Sequence, residues 1–295
     1  MKFELEYGFN NQSMPKFEEY EIKTINGIKY VVPKLNESSI PPYTSIDFED
    51  YEENDKPLID FINLGKLTLE NKEDTDRLLI EYVNKYGLLG LIHNLPVNRY
   101  YTLDTKVLLK EFNNVSGIEW YDAFNTMDIL DYFKIFFPTA TDKEIKEIIE
   151  KSNKLLSQRS MEKFITPDLN KLYYENEKYY EQADMIVSYA QTLYKILKEL
   201  RNDNEAYKDH SLIERLESNH IRTNLNYNGI TIHIRSLKEY IDENFKLFAI
   251  EEKKYLKLCK HCGRAFTASN PKTEYDTFSC KNQENVYKSR ARNRE

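Results

Sequence analysis

The stretch Leu256-Lys257-Leu258-Cys259-Lys260-His261-Cys262-Gly263-Arg264-Ala265-Phe266 decides how the rest of the chain is read. Two cysteines separated by two residues and followed by glycine place two thiolates on one side of a tight turn. There one ion can bridge them and backbone N–H groups can brace them. A redox pair uses the same spacing, but it sits in a βαβ context that the flanking sequence lacks. All 3 cysteines, with Cys280 as the third, fall in the last 37 of 295 residues. A secreted disulfide scaffold would carry more, in an even number. Ligation of a metal ion is the better reading.

A closed structural zinc site takes four ligands, and the cysteines supply three. Asp276, four residues before Cys280 and near where a second cysteine pair would begin, is the first candidate for the fourth, since carboxylate oxygen binds zinc at nearly the distance of imidazole nitrogen. His261 is committed to the turn between the two cysteines, and His220 or His233 would have to be brought in by folding. A remnant site that holds no metal is the alternative to all of these.

The charge distribution divides the chain at the same place. Residues 253–295 carry 11 Lys and Arg against 4 Asp and Glu, a net of +7, whereas residues 1–252 carry 31 against 45, a net of −14. Such a basic end either docks on the acidic body or a protein partner, or reaches a polyanion such as nucleic acid. Lys288, Arg290, Arg292 and Arg294 fall on alternate residues, so on a helix they spread around the axis and leave little apolar face to bury. Their phosphate contacts would be largely electrostatic and weaken with salt. Asn282, Gln283 and Asn285 carry amides suited to adenine edges, and Arg290 a guanidinium suited to guanine. A solvated, idle tail is the bland alternative.

Upstream, the composition is that of a folding chain: 40% hydrophobic residues, with 23 Tyr and 15 Phe. No apolar run is long enough to span a membrane and the N-terminus has no signal-peptide pattern, which points to the cytoplasm. Alternation around Asn26-Gly27 predicts a hairpin over Tyr20–Val32, and Asn228-Gly229 a second over Leu225–Ile234. Residues 36–56, rich in Ser, Pro and acids, read as a surface loop. Apolar spacing predicts helices over Thr75–Tyr86, ended by Gly87; after a Thr141/Glu144 capping box; from Thr166-Pro167 through Arg201; and after a Ser236/Glu239 capping box toward Cys259. No repeat of 20–50 residues is present.

Leu256-Lys257-Leu258-Cys259-x-x-Cys262, then Phe266, Phe278, Cys280-Lys281-Asn282-Gln283 and the basic Tyr287-Lys288-Ser289-Arg290-Ala291-Arg292 resemble the C-terminal CGNR-type zinc finger. Bacterial proteins with that finger commonly have a mostly helical N-terminal domain and are described as stress-induced transcription regulators. Cys280 and Asn282 match the family's cysteine and asparagine. Lys281 and Gln283 stand in place of its glycine and arginine, and the cysteine expected shortly before Cys280 is absent. The resemblance implies a treble-clef-like site with one structural zinc and DNA binding in transcription control. It covers about 40 residues well, and the body only by its helical character.

For enzyme chemistry the signals are thin. There is no nucleophile elbow, Walker loop or dinucleotide fingerprint, and His93, His210, His220, His233 and His261 form no compact ligand set. Asp128 with Asp131, and Glu147 with Glu150, have the spacing of solvated helix faces. Trp120 and the cluster Tyr173, Tyr174, Tyr179 and Tyr180 read as packing residues before they read as a ligand surface.

The expected architecture is therefore mainly α with small β-hairpins: a helical body over 1–252 and a basic zinc-finger-like module over 253–295. The candidate ligands are Cys259, Cys262, Cys280 and Asp276. The candidate nucleic-acid contacts are Arg264, Lys281, Asn282, Lys288, Arg290, Arg292 and Arg294. The leading function is non-enzymatic DNA binding, with RNA as a second polyanion. A protein-interaction module with a purely structural finger is the alternative, and a nucleic-acid-processing enzyme the remote third.

Overall fold

A computed structural model describes residues 6–9, 14–35, 43–46, 55–94, 102–108, 126–158, 172–201, 222–226, 229–234, 236–250 and 255–292. The N-terminal part is built from short strands: β1 (Glu6–Phe9), β2 (Met14–Phe17), β3 (Tyr20–Ile25), β4 (Ile28–Pro33) and β5 (Tyr43–Ile46). Asn26 and Gly27 turn β3 into β4 with φ of 51° and 81°, as a type I′ turn requires. The stretch 36–56 is not loop throughout, because β5 pairs antiparallel with β2 and Lys56 already opens a helix.

That helix, α1 (Lys56–Glu70), has proline in its first turn and buries Leu58, Phe61, Ile62 and Leu64. α2 (Thr75–Tyr86) follows and ends at Gly87, whose φ of 82° suits a helix stop. β6 (Lys106–Leu108) pairs with β7 (Thr126–Asp128), which leads into α3 (Ile129–Phe136) and α4 (Asp142–Gln158). The capping box forms: Thr141 N–H donates to Glu144 Oε2 at 2.8 Å and Glu144 N–H to Thr141 Oγ1 at 3.3 Å.

The continuous helix predicted through Arg201 is interrupted. Residues 175–180 turn, β8 (Glu181–Gln182) pairs with β4, and only then does α5 (Ala183–Leu200) begin. The cause is Glu181, whose carboxylate is drawn into the interior. It accepts N–H bonds from Leu89, Gly90 and Leu91 at 2.7–2.8 Å and the Tyr179 hydroxyl at 2.5 Å. Tyr173, Tyr174 and Tyr179 are buried, so this cluster is core.

β9 (Arg222–Asn226) and β10 (Gly229–His233) form the second predicted hairpin, and β1 adds to β10 in parallel, a pairing that local sequence does not announce. α6 (Leu237–Ile250) starts with Glu239 N–H on Ser236 Oγ at 3.1 Å and with Lys238 N–H on the Leu89 carbonyl at 2.8 Å. Its charges are internal: Lys238 donates to Asp242 at 2.6 Å and lies over the Tyr189 ring. α6 does not reach Cys259 directly, because β11 (Tyr255–Leu258) intervenes before β12 (Ala265–Ala268) and α7 (Phe278–Arg292). Among the described residues helices predominate and the sheets are small.

At the centre, α1 crosses α5 with the backbones in contact. A Cβ on Gly65 would stand 2.1 Å from the Ala190 carbonyl oxygen, so only glycine allows this approach. α1 is also the element on which the cysteine-bearing hairpin rests. Trp120, His210, His220 and Arg294 lie outside the described residues, as do the side chains of His93 and His233.

Candidate metal centre

β11 and β12 pair from Tyr255↔Ala268 to Leu258↔Ala265, and the C-x-x-C motif is the turn between them. Cys259 N–H donates to the Arg264 carbonyl and Gly263 N–H to the Cys259 carbonyl, both at 2.8 Å. Gly263 has a φ of 69°, a backbone conformation that favours glycine, and a Cβ there would stand 3.0 Å from Lys66 Cε, which would have to shift. Beyond the hairpin the chain returns to the turn, where Lys260 N–H meets the Glu274 carbonyl at 2.9 Å and Lys257 holds the carbonyls of Pro271 and Thr273. Asp276 is thereby placed beside the thiols. Thr277 then caps α7 through Oγ1 to the Cys280 N–H at 3.2 Å, which fixes Cys280 in the first turn.

The sulfur atoms of Cys259, Cys262 and Cys280 and a carboxylate oxygen of Asp276 lie within 4.8 Å of one another. Tetrahedral zinc with sulfur at 2.3 Å would hold sulfurs about 3.8 Å apart, so a small contraction closes this set around an ion. These are the four ligands expected from the sequence, and the group can hold a metal ion. Asp276 Oδ2 accepts from Cys262 Sγ at 3.6 Å, while Oδ1 is buried without a hydrogen-bond partner. A buried carboxylate oxygen left without a directed bond is costly unless a cation meets it.

The electrostatics agree. On Cys280 the Thr277 hydroxyl favours the thiolate, but the Asp276 carboxylate, burial and the two neighbouring cysteines outweigh it and push the thiol up to about 12. Burial is the largest influence on Cys262, and its thiol is raised. At Asp276 burial acts upward, yet the surrounding thiols of Cys280, Cys259 and Cys262 and the Thr277 amide hold it below the ordinary value. Without an ion, the raised thiols of Cys262 and Cys280 keep their protons, and Cys262 donates to the Asp276 carboxylate. A divalent cation replaces those protons, and the helix N-terminus at Cys280 favours the thiolate that results.

His261 is no ligand. It stacks on Tyr287 with ring centroids 5.6 Å apart, and its nitrogens face Glu284 Oε2 at 3.2 Å and Gln283 Oε1 at 2.8 Å. Gln283 is therefore turned toward the hairpin, away from the outer face where its amide could read a base. These contacts, with Cys280, brace one side of α7.

The module is joined to the body through residues that nothing in the sequence flagged. Asn63 of α1 donates Nδ2 to the Ala265 carbonyl at 3.1 Å and accepts the Ala265 N–H at Oδ1 at 2.8 Å. Thr267 donates to Asp55, and Leu256 and Ala265 join the main core. The signal available was weak: an asparagine amid the apolar spacing of α1.

Of the candidate nucleic-acid residues, Arg264, Lys281, Asn282, Lys288 and Arg290 are all exposed. Arg264, Lys281 and Arg290 make no ion pair with described residues, and Lys288 stands 3.6 Å from Glu284. Arg292 is the last residue of α7, its side chain not described, and Arg294 lies beyond. No family model matches the chain, and neither a curated protein nor a solved structure similar to it was found. No helix among the described residues is long and apolar enough to cross a membrane.

Proposed function

We propose that residues 253–295 form a treble-clef-like zinc module of the CGNR-resembling kind, through which a cytoplasmic, non-enzymatic protein binds DNA, in the manner of a transcription regulator. One observation carries the reading: a cluster of four candidate ligands anchors the first turn of a helix whose exposed charged side chains, Lys281, Lys288 and Arg290, are all cationic. Zinc is the ion favoured by three thiolates and one carboxylate gathered within 4.8 Å of one another. Four protein ligands leave no open position for substrate, which supports a structural ion over a catalytic one. A helix that buries no apolar face does not fold for its own burial, so an anchored one serves a surface role. DNA phosphates are the complement of Lys281, Lys288, Arg290 and Arg264.

A second reading has support of its own. The hairpin's docking on Asn63 and Asp55 suits a module whose ion only joins α7 to the body or to a protein partner. The two are separated by zinc analysis followed by DNA titration, on protein purified without added metal. Wild type is expected to carry about one zinc per chain, lost in Cys259→Ser and depleted in Asp276→Ala. Loaded protein is then expected to bind duplex DNA with an affinity that falls steeply as salt rises. Zinc-loaded protein that ignores DNA even at low salt leaves the partner-module reading; folded wild type without zinc refutes the metal centre itself.

A further inference from the structure

The outer face of α7 is ordered around the helix in a way that phosphate binding alone does not require. At about 100° per residue, Phe278, Asn282, Asn285 and Ser289 fall within roughly 60° of arc. That arc lies opposite the side braced by Cys280, Gln283, Glu284 and Tyr287. Lys281 and Lys288 border it directly on one side, while on the other Val286 and Ser279 come first and Arg290 beyond them; all of these residues are exposed, Phe278 by 76%. A strip of amides, a hydroxyl and an aromatic ring, with cations farther out on both sides, is the order of groups met across a DNA groove: phosphate, base edges, phosphate. From Phe278 to Ser289 the helix rises about 16 Å, nearly five base-pair steps. A helix 10–12 Å across fits the major groove, roughly 12 Å wide.

We propose that α7 reads bases in the major groove of duplex DNA, with Asn282 and Asn285 on adenine edges and Phe278 against a thymine methyl, so that the protein selects sites containing A·T pairs. The inference rests on the DNA-contact reading above and deepens it from backbone attraction to sequence choice. An asparagine amide donates to N7 and accepts from N6 of adenine in one bidentate contact, and an exposed phenylalanine is the kind of apolar surface that distinguishes thymine. Lys281, Lys288 and Arg290 hold the register by reaching the two strands. Duplex RNA is a poor substitute, because its deep, narrow major groove does not admit side chains. The acidic body is not the occupant in this structure, since it leaves these side chains exposed.

The test is site selection from a random duplex pool by the zinc-loaded full chain, followed by affinities for the selected and a scrambled duplex. The variants are Asn282→Ala with Asn285→Ala, and Lys281→Ala with Lys288→Ala. All four positions are exposed, and equal zinc content and circular dichroism establish that the variants fold. The expected result is an enriched motif with A·T pairs. The asparagine pair should weaken the selected site by about 10-fold or more and spare the scrambled one. The lysine pair should weaken both alike and lower the salt slope by about one per lysine. Failure to enrich any motif, with the asparagine pair silent, overturns base reading while DNA contact stands. Duplex RNA bound as tightly as DNA overturns the groove assignment. No binding to any polyanion at low salt removes both this inference and the reading it rests on, and points to a protein partner.

Discussion

Glu181 and Asp276 are both carboxylates taken from water by loops that fold back on a glycine-containing turn, and they are treated in opposite ways. Glu181 is wholly buried, and four donors cover its two oxygens: three backbone N–H groups and the Tyr179 hydroxyl. Asp276 meets thiols, which are weak donors, and the Thr277 amide, while its Oδ1 is buried without a hydrogen-bond partner. A carboxylate that folding has satisfied is a structural bolt. One left with an unmet oxygen among three sulfurs can serve as a ligand for a cation. The difference teaches that residue type and burial do not separate structure from site; the tally of unmet hydrogen-bonding capacity does.

Exchanging the roles experimentally breaks or sharpens that contrast. Glu181→Ala leaves three amides and a hydroxyl buried without an acceptor, and unfolding by urea should show stability lower by about 4 kcal/mol or more. The fraction that remains folded should keep its full complement of metal. Asp276→Ala should do the reverse: metal-free stability within about 1 kcal/mol of wild type, because an unsatisfied oxygen has been removed, but metal affinity reduced at least ~100-fold, beyond what a lost outer-shell partner costs. If Asp276→Ala unfolds the metal-free chain while zinc affinity is untouched, the distinction between bolt and ligand is wrong.

The joint between the two regions gives the next effect. Asn63 completes the backbone of Ala265 with two hydrogen bonds, so this side chain, beside the Thr267–Asp55 contact, ties the cysteine-bearing hairpin to the α1 framework. Asn63→Leu should cost roughly 2 kcal/mol, since a buried donor and acceptor lose their partners. Hydrogen exchange should find the Ala265 amide opening faster, while the Leu89, Gly90 and Leu91 amides held by Glu181 stay protected. Equal loosening at both places would mean that the regions open as one unit.

What the sequence disclosed follows the same division between local and distant causes. The Asn26-Gly27 turn, the Thr141/Glu144 box and the C-x-x-C-G knuckle are written in adjacent residues, and each forms where the spacing puts it. Asp276 was legible because only a few residues separate it from Cys280. The break before α5 was not, because the apolar pattern of Leu172 and Ala183 onward runs across it, and the reason for it is Glu181 bonding amides some ninety residues away. Nor was the anchoring of α1, which follows from a close approach that Gly65 permits at Ala190 and from an asparagine whose partner is two hundred residues downstream. The inward turn of Gln283 is of the same kind. Its neighbours Asn282 and Asn285 carry similar amides, and only the placement of His261 and Tyr287 decides which amide is taken.

The smallest effect is a pH signature that separates a buried carboxylate from an exposed one. Burial is the main influence on Glu181 and raises it above the ordinary 4.5, despite the opposing bonds from Tyr179, Leu91, Leu89 and Gly90. Glu144, at the surface, is lowered to about 2, first by Lys178 and then by the Thr141 amide and hydroxyl. The folded chain therefore holds the Glu181 proton more tightly than the unfolded chain does, so this group's contribution declines as pH rises from about 4.5 toward its folded value. Glu144 works the other way, because its folded form gives up the proton more readily, and its contribution is complete above 4.5 and disappears as pH falls toward 2. Carboxyl-resolved NMR titration should show the two displaced in opposite directions. In Glu144→Gln the acid-side decline in stability should be shallower than in wild type, by a margin that shrinks with added salt, since an exposed pair is screened and a buried one is not. A Glu144 midpoint at the ordinary value would mean that the Lys178 contact does not persist in solution, and the capping box would then rest on Thr141 alone.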